Sequence, residues 1–307
     1  MKTQKNKFNP LTQIGYSWNI VFLVILLAAA VLVIAPLLIV VISSFASERS
    51  ILTVGFSYTP RAFSLDGYKY LFKLGDQLKY GYVISIFYAV AGTASSLTVM
   101  SLYSYVLWQR QFAARRFFTW FLFITMLFSG GLVPGYVLIT RYLHINNTLW
   151  MFILPGLANG GNIIILRTFL KTSIPDSLVE SARIDGAGHF RIFGYIVLPL
   201  FKAGLATIGL FGFVSRWNDW FLAFMYNTNA RLMPLQTMLY KIQSNIDFLK
   251  NNAAFMTTPD GLEVWNSLPS ESVRMACVVM VVIPILFAYP FFQRFFISGL
   301  LVGSIKE

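Results

Sequence analysis

The chain alternates long charge-free apolar stretches with shorter polar connections. Phe8–Ser47, Tyr80–Gln109, Phe117–Thr140, Tyr142–Leu166 and Met275–Gln293 each run 19 residues or longer without a charge. Crossing the hydrocarbon of a bilayer takes about 20 mostly apolar residues in a helix. The pattern therefore predicts membrane-spanning helices near 20–44, 82–108, 117–139, 149–169 and 273–296. A sixth, near 203–225, is interrupted by Arg216 and Asp219. The fold class expected is all-α, a polytopic membrane protein with six transmembrane helices. Pro36, Gly130-Gly131 with Pro134, Pro155, Gly160-Gly161, Pro284 and Pro290 fall inside the spans. Such breakers survive in a membrane where neighbouring helices or water satisfy the freed backbone groups. They fit either close packing and kinking or flexible helices around a pathway.

Composition narrows the class further. Hydrophobic residues make up 57% of the 307, and charged residues only 12%, about half the charged share of an ordinary soluble domain. A water-soluble fold of this size would lack the polar surface to cover its core. Aromatic residues at 17% suit a protein whose rims sit at bilayer interfaces. The net charge of +12 comes from dispersed basic residues, which points to anionic lipid headgroups rather than nucleic acid. The single cysteine, Cys277, rules out an internal disulfide. Two histidines, His144 and His189, leave no histidine cluster for a metal.

No Gly-Lys dipeptide occurs, so the phosphate-cradling Walker A loop is missing, and His-Glu-x-x-His and Gly-x-Ser-x-Gly are missing too. Uphill work by this protein would need energy from another chain. Self-powered carriers usually place ionisable groups at mid-membrane depth, and here only Arg216 and Asp219 qualify.

Residues 1–19, with Lys2, Lys5 and Lys7, read as a cytoplasmic N-terminal tail leading into an uncleaved first span, because no small-residue cleavage pattern is present. Residues 20–297 are expected to form the six-helix transmembrane body, and 298–307 a cytoplasmic C-terminal tail. Six spans put both termini inside. External segments then cover 45–81 and 226–272, and the main internal loop covers 171–200. This orientation places 13 of the 24 Lys/Arg inside. The stronger witness is the short loop Gln109–Arg116 with three arginines, since the positive-inside rule is counted over short loops.

The internal loop carries the functional argument. Pro175 suits a first helical turn, and Ser177 with Glu180 has capping-box spacing, so a short helix is predicted from about 175 to 185. Gly186 and Gly188 permit a sharp turn. A second short helix follows over about 189–198, apolar almost all round through Phe190, Ile192, Phe193, Tyr195, Ile196, Val197 and Leu198. Such a helix is unfavourable in water unless it is covered. It either docks in a partner's groove or lies on the membrane surface.

These residues resemble a known pattern. Glu180-Ser181-Ala182, then Gly186, then Ile196, Leu198 and Pro199 have the spacing of the EAA loop of ATP-binding-cassette importer permeases, with Ser181 where alanine is usual. Asp185-Gly186-Ala187 has the form common in the carbohydrate-uptake branch. Ser129–Pro134, Asn147–Trp150 through Leu154-Pro155, Trp217-Asn218 and Pro234–Gln236 look like the maltose-type and complex-oligosaccharide members. The resemblance spans roughly residues 15–305.

It implies the six-helix MetI-like fold in the bacterial cytoplasmic membrane. It also implies a second homologous permease, two ATPase subunits that carry ATP-Mg, and an external solute-binding protein. This chain itself would hold no cofactor, no metal and no catalytic residue. The second short helix would couple to the ATPase, with Glu180, Ser181, Ala182, Asp185, Gly186, Phe190, Phe193, Ile196, Leu198 and Pro199 at the interface.

Candidate pathway residues follow from sugar chemistry, which needs amides, carboxylates and aromatic faces. Arg216 and Asp219 lie i,i+3 and could pair, about 20 Å from the inner end of their span at 1.5 Å per residue. Asn159, Asn162, Trp217, Asn218 and Tyr136 complete the set. Segment 226–272 is long for a helix connection, which points to function. Its short apolar helix and tip, with Leu235, Leu239, Asn251 and Asn252, are candidates for binding-protein docking, against the alternative of a plug over the outer mouth. The competing functions are a self-powered secondary carrier or channel and a membrane-anchored scaffold. The EAA spacing separates the first reading from both.

Overall fold

A computed structural model of the protein describes residues 16–252 and 270–303. Among the described residues the elements are helical, with a single isolated bridge pairing Ala46 and Phe63. Three helices are individually long and apolar enough to cross a membrane. Three further bent helix pairs, the third joining His189–Leu200 to Lys202–Trp217 at 78°, bring the number to up to six if each pair is one span.

The chain divides into two compact units. The first comprises residues 1–71 and 266–279. Its main element, α1 (Tyr16–Ser44), starts four residues inside the expected tail. Its side chains from Trp18 to Ile34 are exposed and almost all apolar, which leaves lipid or another membrane protein as their solvent. A turn leads to α2 (Glu48–Val54) and then α3 (Asp66–Lys73). The Ser44 hydroxyl lies 2.8 Å from that of Tyr68. Glu48 accepts hydrogen bonds from the backbone N–H groups of Glu271 at 3.0 Å and Ser272 at 2.9 Å, where α14 (Ser270–Gly303) begins. A carboxylate at a helix N-terminus satisfies otherwise orphaned donors and complements the helix dipole.

The second unit comprises residues 72–265 and 280–307, and its centre is α4 (Asp76–Trp108). One face of α4 buries small residues, among them Gly92, Thr93, Ser96, Ser101 and Ser104. Small side chains let neighbouring backbones approach closely, which is how membrane helices pack when apolar burial gives no advantage over lipid. Ser104 donates to the Ile163 carbonyl at 3.0 Å across that contact. The face packs against α7 (Gly160–Ser173) and α11 (Lys202–Trp217). α5 (Arg115–Leu127) joins the same core through Leu122.

The breakers act where the apolar pattern predicts continuous spans. α5 ends before Ser129–Gly131, Gly131 takes φ +83°, and α6 (Leu132–Val137) leaves at 112° to it. Two short turns at Leu149–Gly156 meet α7 at 58° across Asn159. The expected single helix over 203–225 is likewise two pieces, α11 and α12 (Phe221–Tyr226). The cause is Asp219, whose carboxylate accepts the N–H groups of Phe221 at 3.0 Å and Leu222 at 3.1 Å and so starts a new helix.

Segment 226–272 holds a longer helix than the short one expected, α13 (Leu235–Asn251). The turn-rich tip beyond it, Thr257–Gly261, lies outside the described residues, as do 1–15 and 304–307.

Candidate functional site

Two short helices fill the loop between α7 and α11. α8 (Asp176–Ile184) is tied at both ends to the arginine-containing connection that follows α4. Arg110 pairs with Asp176 at 2.8 Å. At the other end, Arg183 donates to the side-chain carbonyl oxygens of Gln109 and Gln111. Cations near a helix C-terminus and carboxylates near its N-terminus are each placed well for the helix dipole. Val179 and Ala182 face the core, and Glu180 and Ser181 face out.

The expected capping box is absent. Pro175 takes the cap position with no side-chain bond, and the Ser181 hydroxyl donates to the Leu178 carbonyl. The chain turns at Gly186, whose φ is +79°. Gly188 has φ −72°, open to any residue, so the turn needs one glycine and not two.

α9 (His189–Ile192) continues through a wider turn at Phe193–Val197 into α10 (Leu198–Leu200). Its apolar residues divide by face. Ile192 and Val197 are fully buried in the core shared with α4, α7 and α8. Phe193 is half-buried, its ring centroid 5.1 Å from that of Tyr105. Outward stand Phe190 at 88% exposure, Tyr195 at 81% and, from α8, Ile184 at 87%. Phe193 and Ile196 therefore support the helix from within, and the sticky surface is Ile184, Phe190 and Tyr195. Pro199 is exposed and Leu198 partly so. Phe190 and Phe193 also border a 490 Å³ cavity with Tyr105 and Arg183.

Gly186→Val is expected to damage this pair of helices far more than Ser181→Ala. The space around Gly186 is open, so the penalty is the backbone's: a β-branched residue at positive φ costs on the order of 1–3 kcal/mol. Ser181→Ala removes only a bond to its own helix. Yields of intact complex after detergent purification check this, and equal yields would contradict it.

The second candidate site surrounds Arg216. Its guanidinium donates to the carbonyls of Gly212 at 3.2 Å and Gly156 at 2.7 Å. A Cβ at Gly92 would lie 2.7 Å from its Nε, one at Gly156 3.0 Å from the guanidinium and one at Gly212 3.1 Å. Three elements thus supply glycine where a side chain would displace this arginine. Asp219 accepts a 2.9 Å hydrogen bond from the buried Tyr88 hydroxyl. Among the described residues Arg216 and Asp219 form no ion pair with each other; each has its own partners.

Arg216 lines a 400 Å³ cavity with Tyr88, Ser96, Asn159, Asn162 and Ser215. The Asn159 side chain is spent capping α7, where it accepts the Asn162 N–H at 3.0 Å.

Three candidate residues take other roles. Trp217 is fully buried, its indole N–H donating to the Val281 carbonyl at 3.1 Å, so it packs and lines nothing. Asn218 is exposed and bonds Gln236. Tyr136 stacks on Tyr226 with centroids 5.7 Å apart, away from the Arg216 cavity. Leu235 and Leu239, expected on a docking surface, are only 1% and 7% exposed. α13 lays them against the protein's own body, with the Leu235 N–H bonded to the Ser85 hydroxyl at 2.8 Å. Asn251 is exposed and Asn252 half-buried.

The chain as a whole is similar to known proteins. The family model described as binding-protein-dependent transport system inner membrane component matches residues 112–302. The chain is 36% identical over 264 residues to the polygalacturonan/rhamnogalacturonan transport system permease protein YtcP of Bacillus subtilis (strain 168), covering 86% of this chain and 89% of that one. It is 26% identical over 273 residues to the arabinooligosaccharides transport system permease protein AraQ of Halalkalibacterium halodurans, covering 86% and 88%. A solved chain of a bacterial ABC transporter involved in the import of the acidic polysaccharide alginate aligns at TM-score 0.76 and 29% identity, over 92% of this chain and 99% of that chain. The chain belongs to the binding-protein-dependent transport system inner membrane components, the multi-pass permease subunits of ATP-binding-cassette importers whose ATPase resides on separate subunits.

Proposed function

We propose that this permease forms half of the membrane pathway for an oligosaccharide that carries carboxylates. It works with a second, homologous permease, two ATPase subunits that hold ATP and Mg2+, and a solute-binding protein on the outer side. Both termini and α8–α10 face the cytoplasm, as the three arginines of Gln109–Arg116 favour. The outward trio Ile184, Phe190 and Tyr195 is the observation that carries the coupling role, because it is apolar, exposed and fixed to the core from behind. Glu180, Ser181 and Asp185 flank it on the exposed side of α8 and its turn. Asn251 and Asn252 remain the binding-protein candidates.

The acidic substrate class rests on Arg216. A guanidinium has five donors, two of which go to the glycine carbonyls, and the same side chain borders the cavity. The relatives named for polygalacturonan and alginate handle acidic polymers, which supports a cation in the path. The test is ATPase stimulation of the reconstituted complex by binding protein loaded with an oligogalacturonate or with a neutral oligosaccharide of equal length. Arg216→Gln is expected to lower the acidic response roughly ten-fold, the scale of one lost charge-assisted hydrogen bond, and to spare a neutral one. An unchanged acidic response would remove Arg216 from the path.

A further inference from the structure

A 440 Å³ cavity beside α8 has an unusual lining: Arg110, Arg115, Arg167 and Lys171 against the single carboxylate of Asp176. That carboxylate is already bonded to Arg110 at 2.8 Å. Among the described residues no carboxylate lies within ion-pair distance of Arg115, Arg167 or Lys171. Arg167 and Lys171 are also i,i+4 on α7, an arrangement in which like charges repel. Arg115 and Arg167 are half-buried, so water screens them less than surface cations. The fold therefore brings together three cations that oppose one another unless an anion joins them.

The surroundings identify the anion. Arg115 opens α5, whose next turns expose Phe117, Trp120 and Phe121. Exposed aromatic rings directly beyond a ring of cations mark the level where headgroups meet hydrocarbon. Trp108 borders the same cavity. An anion reaching this depth most readily arrives attached to a membrane, and a basic pocket between membrane helices suits a phosphodiester headgroup.

We propose that the cavity bounded by Arg115, Arg167 and Lys171 binds the phosphate of an anionic glycerophospholipid. The headgroup sits where Ile174 and Asp176 lead into α8.

The purified complex, reconstituted in phosphatidylcholine or in mixed phosphatidylcholine–phosphatidylglycerol nanodiscs, tests this by native mass spectrometry of the lipids it retains. Wild type should keep phosphatidylglycerol over phosphatidylcholine by at least ~10-fold, since each basic group near the headgroups favours an anionic lipid roughly five-fold. The triple variant Arg115→Gln, Arg167→Gln, Lys171→Gln should lose that preference. Arg115→Lys with Arg167→Lys, which keeps the charge, should retain most of it and serves as the guard against misfolding. Undiminished phosphatidylglycerol retention by the triple glutamine variant would overturn the proposal. Displacement of the lipid by millimolar inorganic phosphate would show a free-anion site instead. Loss of the ATPase subunit from the triple variant with lipid retention intact would show a protein contact, and it too would overturn the proposal.

Discussion

Phe190→Asp is expected to abolish ATP-driven uptake while the chain still inserts and folds. Phe190 is 88% exposed, so within this subunit the substitution removes little burial and adds a carboxylate already in contact with water. The cost falls on assembly. Seating α9 in an apolar groove of the ATPase would bury that carboxylate unpaired, at several kcal/mol, which corresponds to more than a hundred-fold loss of coupled complex. Phe193→Asp is a poorer test, because Phe193 packs on Tyr105 and its loss disturbs the subunit itself. Copurification of the ATPase and uptake into proteoliposomes measure the effect. Full uptake by Phe190→Asp would place the coupling surface elsewhere.

Gly92→Val is the second change with a large expected effect. Its Cβ would stand 2.7 Å from Nε of Arg216 and 3.3 Å from the Phe152 carbonyl oxygen. The arginine must leave, and its bonds to Gly156 and Gly212 go with it. Overpacking of this kind costs about 1–3 kcal/mol, and charge-assisted hydrogen bonds about 1.5–3 kcal/mol each. Removing the arginine should relieve the clash, so Gly92→Val in an Arg216→Ala background is expected to cost little beyond Arg216→Ala alone. Thermal unfolding of the four proteins of this cycle gives the coupling directly. Additive effects would show that Gly92 does not make room for Arg216.

How much could be read beforehand differs between the two sites. The pair of short helices was legible because local signals decide it: a proline at the start of α8, a glycine whose φ must be positive, and an apolar run after it. The division of that run into an inward Ile192 and Val197 and an outward Phe190 and Tyr195 was not, since a helix widened at Phe193–Val197 departs from a 3.6-residue period. The seat of Arg216 was illegible for a different reason. Gly92, Gly156 and Gly212 come from three elements, and nothing local tells a glycine that makes room for an arginine from one that breaks a helix.

Leu235 and Leu239 were misread although a signal existed. With Met238 and Ile246 they form the buried stripe of an amphipathic helix, which argues for packing against the protein and not for a docking surface.

Disulfide cross-linking reports whether α8–α10 meet the ATPase. Cys277 is buried and can be replaced by alanine, so one new cysteine at Phe190 can be paired with cysteines placed along the ATPase surface. A control cysteine at Asn251, exposed on α13, would lie on the opposite side of the membrane if α8–α10 face the cytoplasm. Adducts with the ATPase from Phe190→Cys and none from Asn251→Cys are predicted. A thiol at position 190 that reacts with a soluble maleimide yet yields no ATPase adduct, while position 251 does, would mean that α8–α10 do not meet the ATPase.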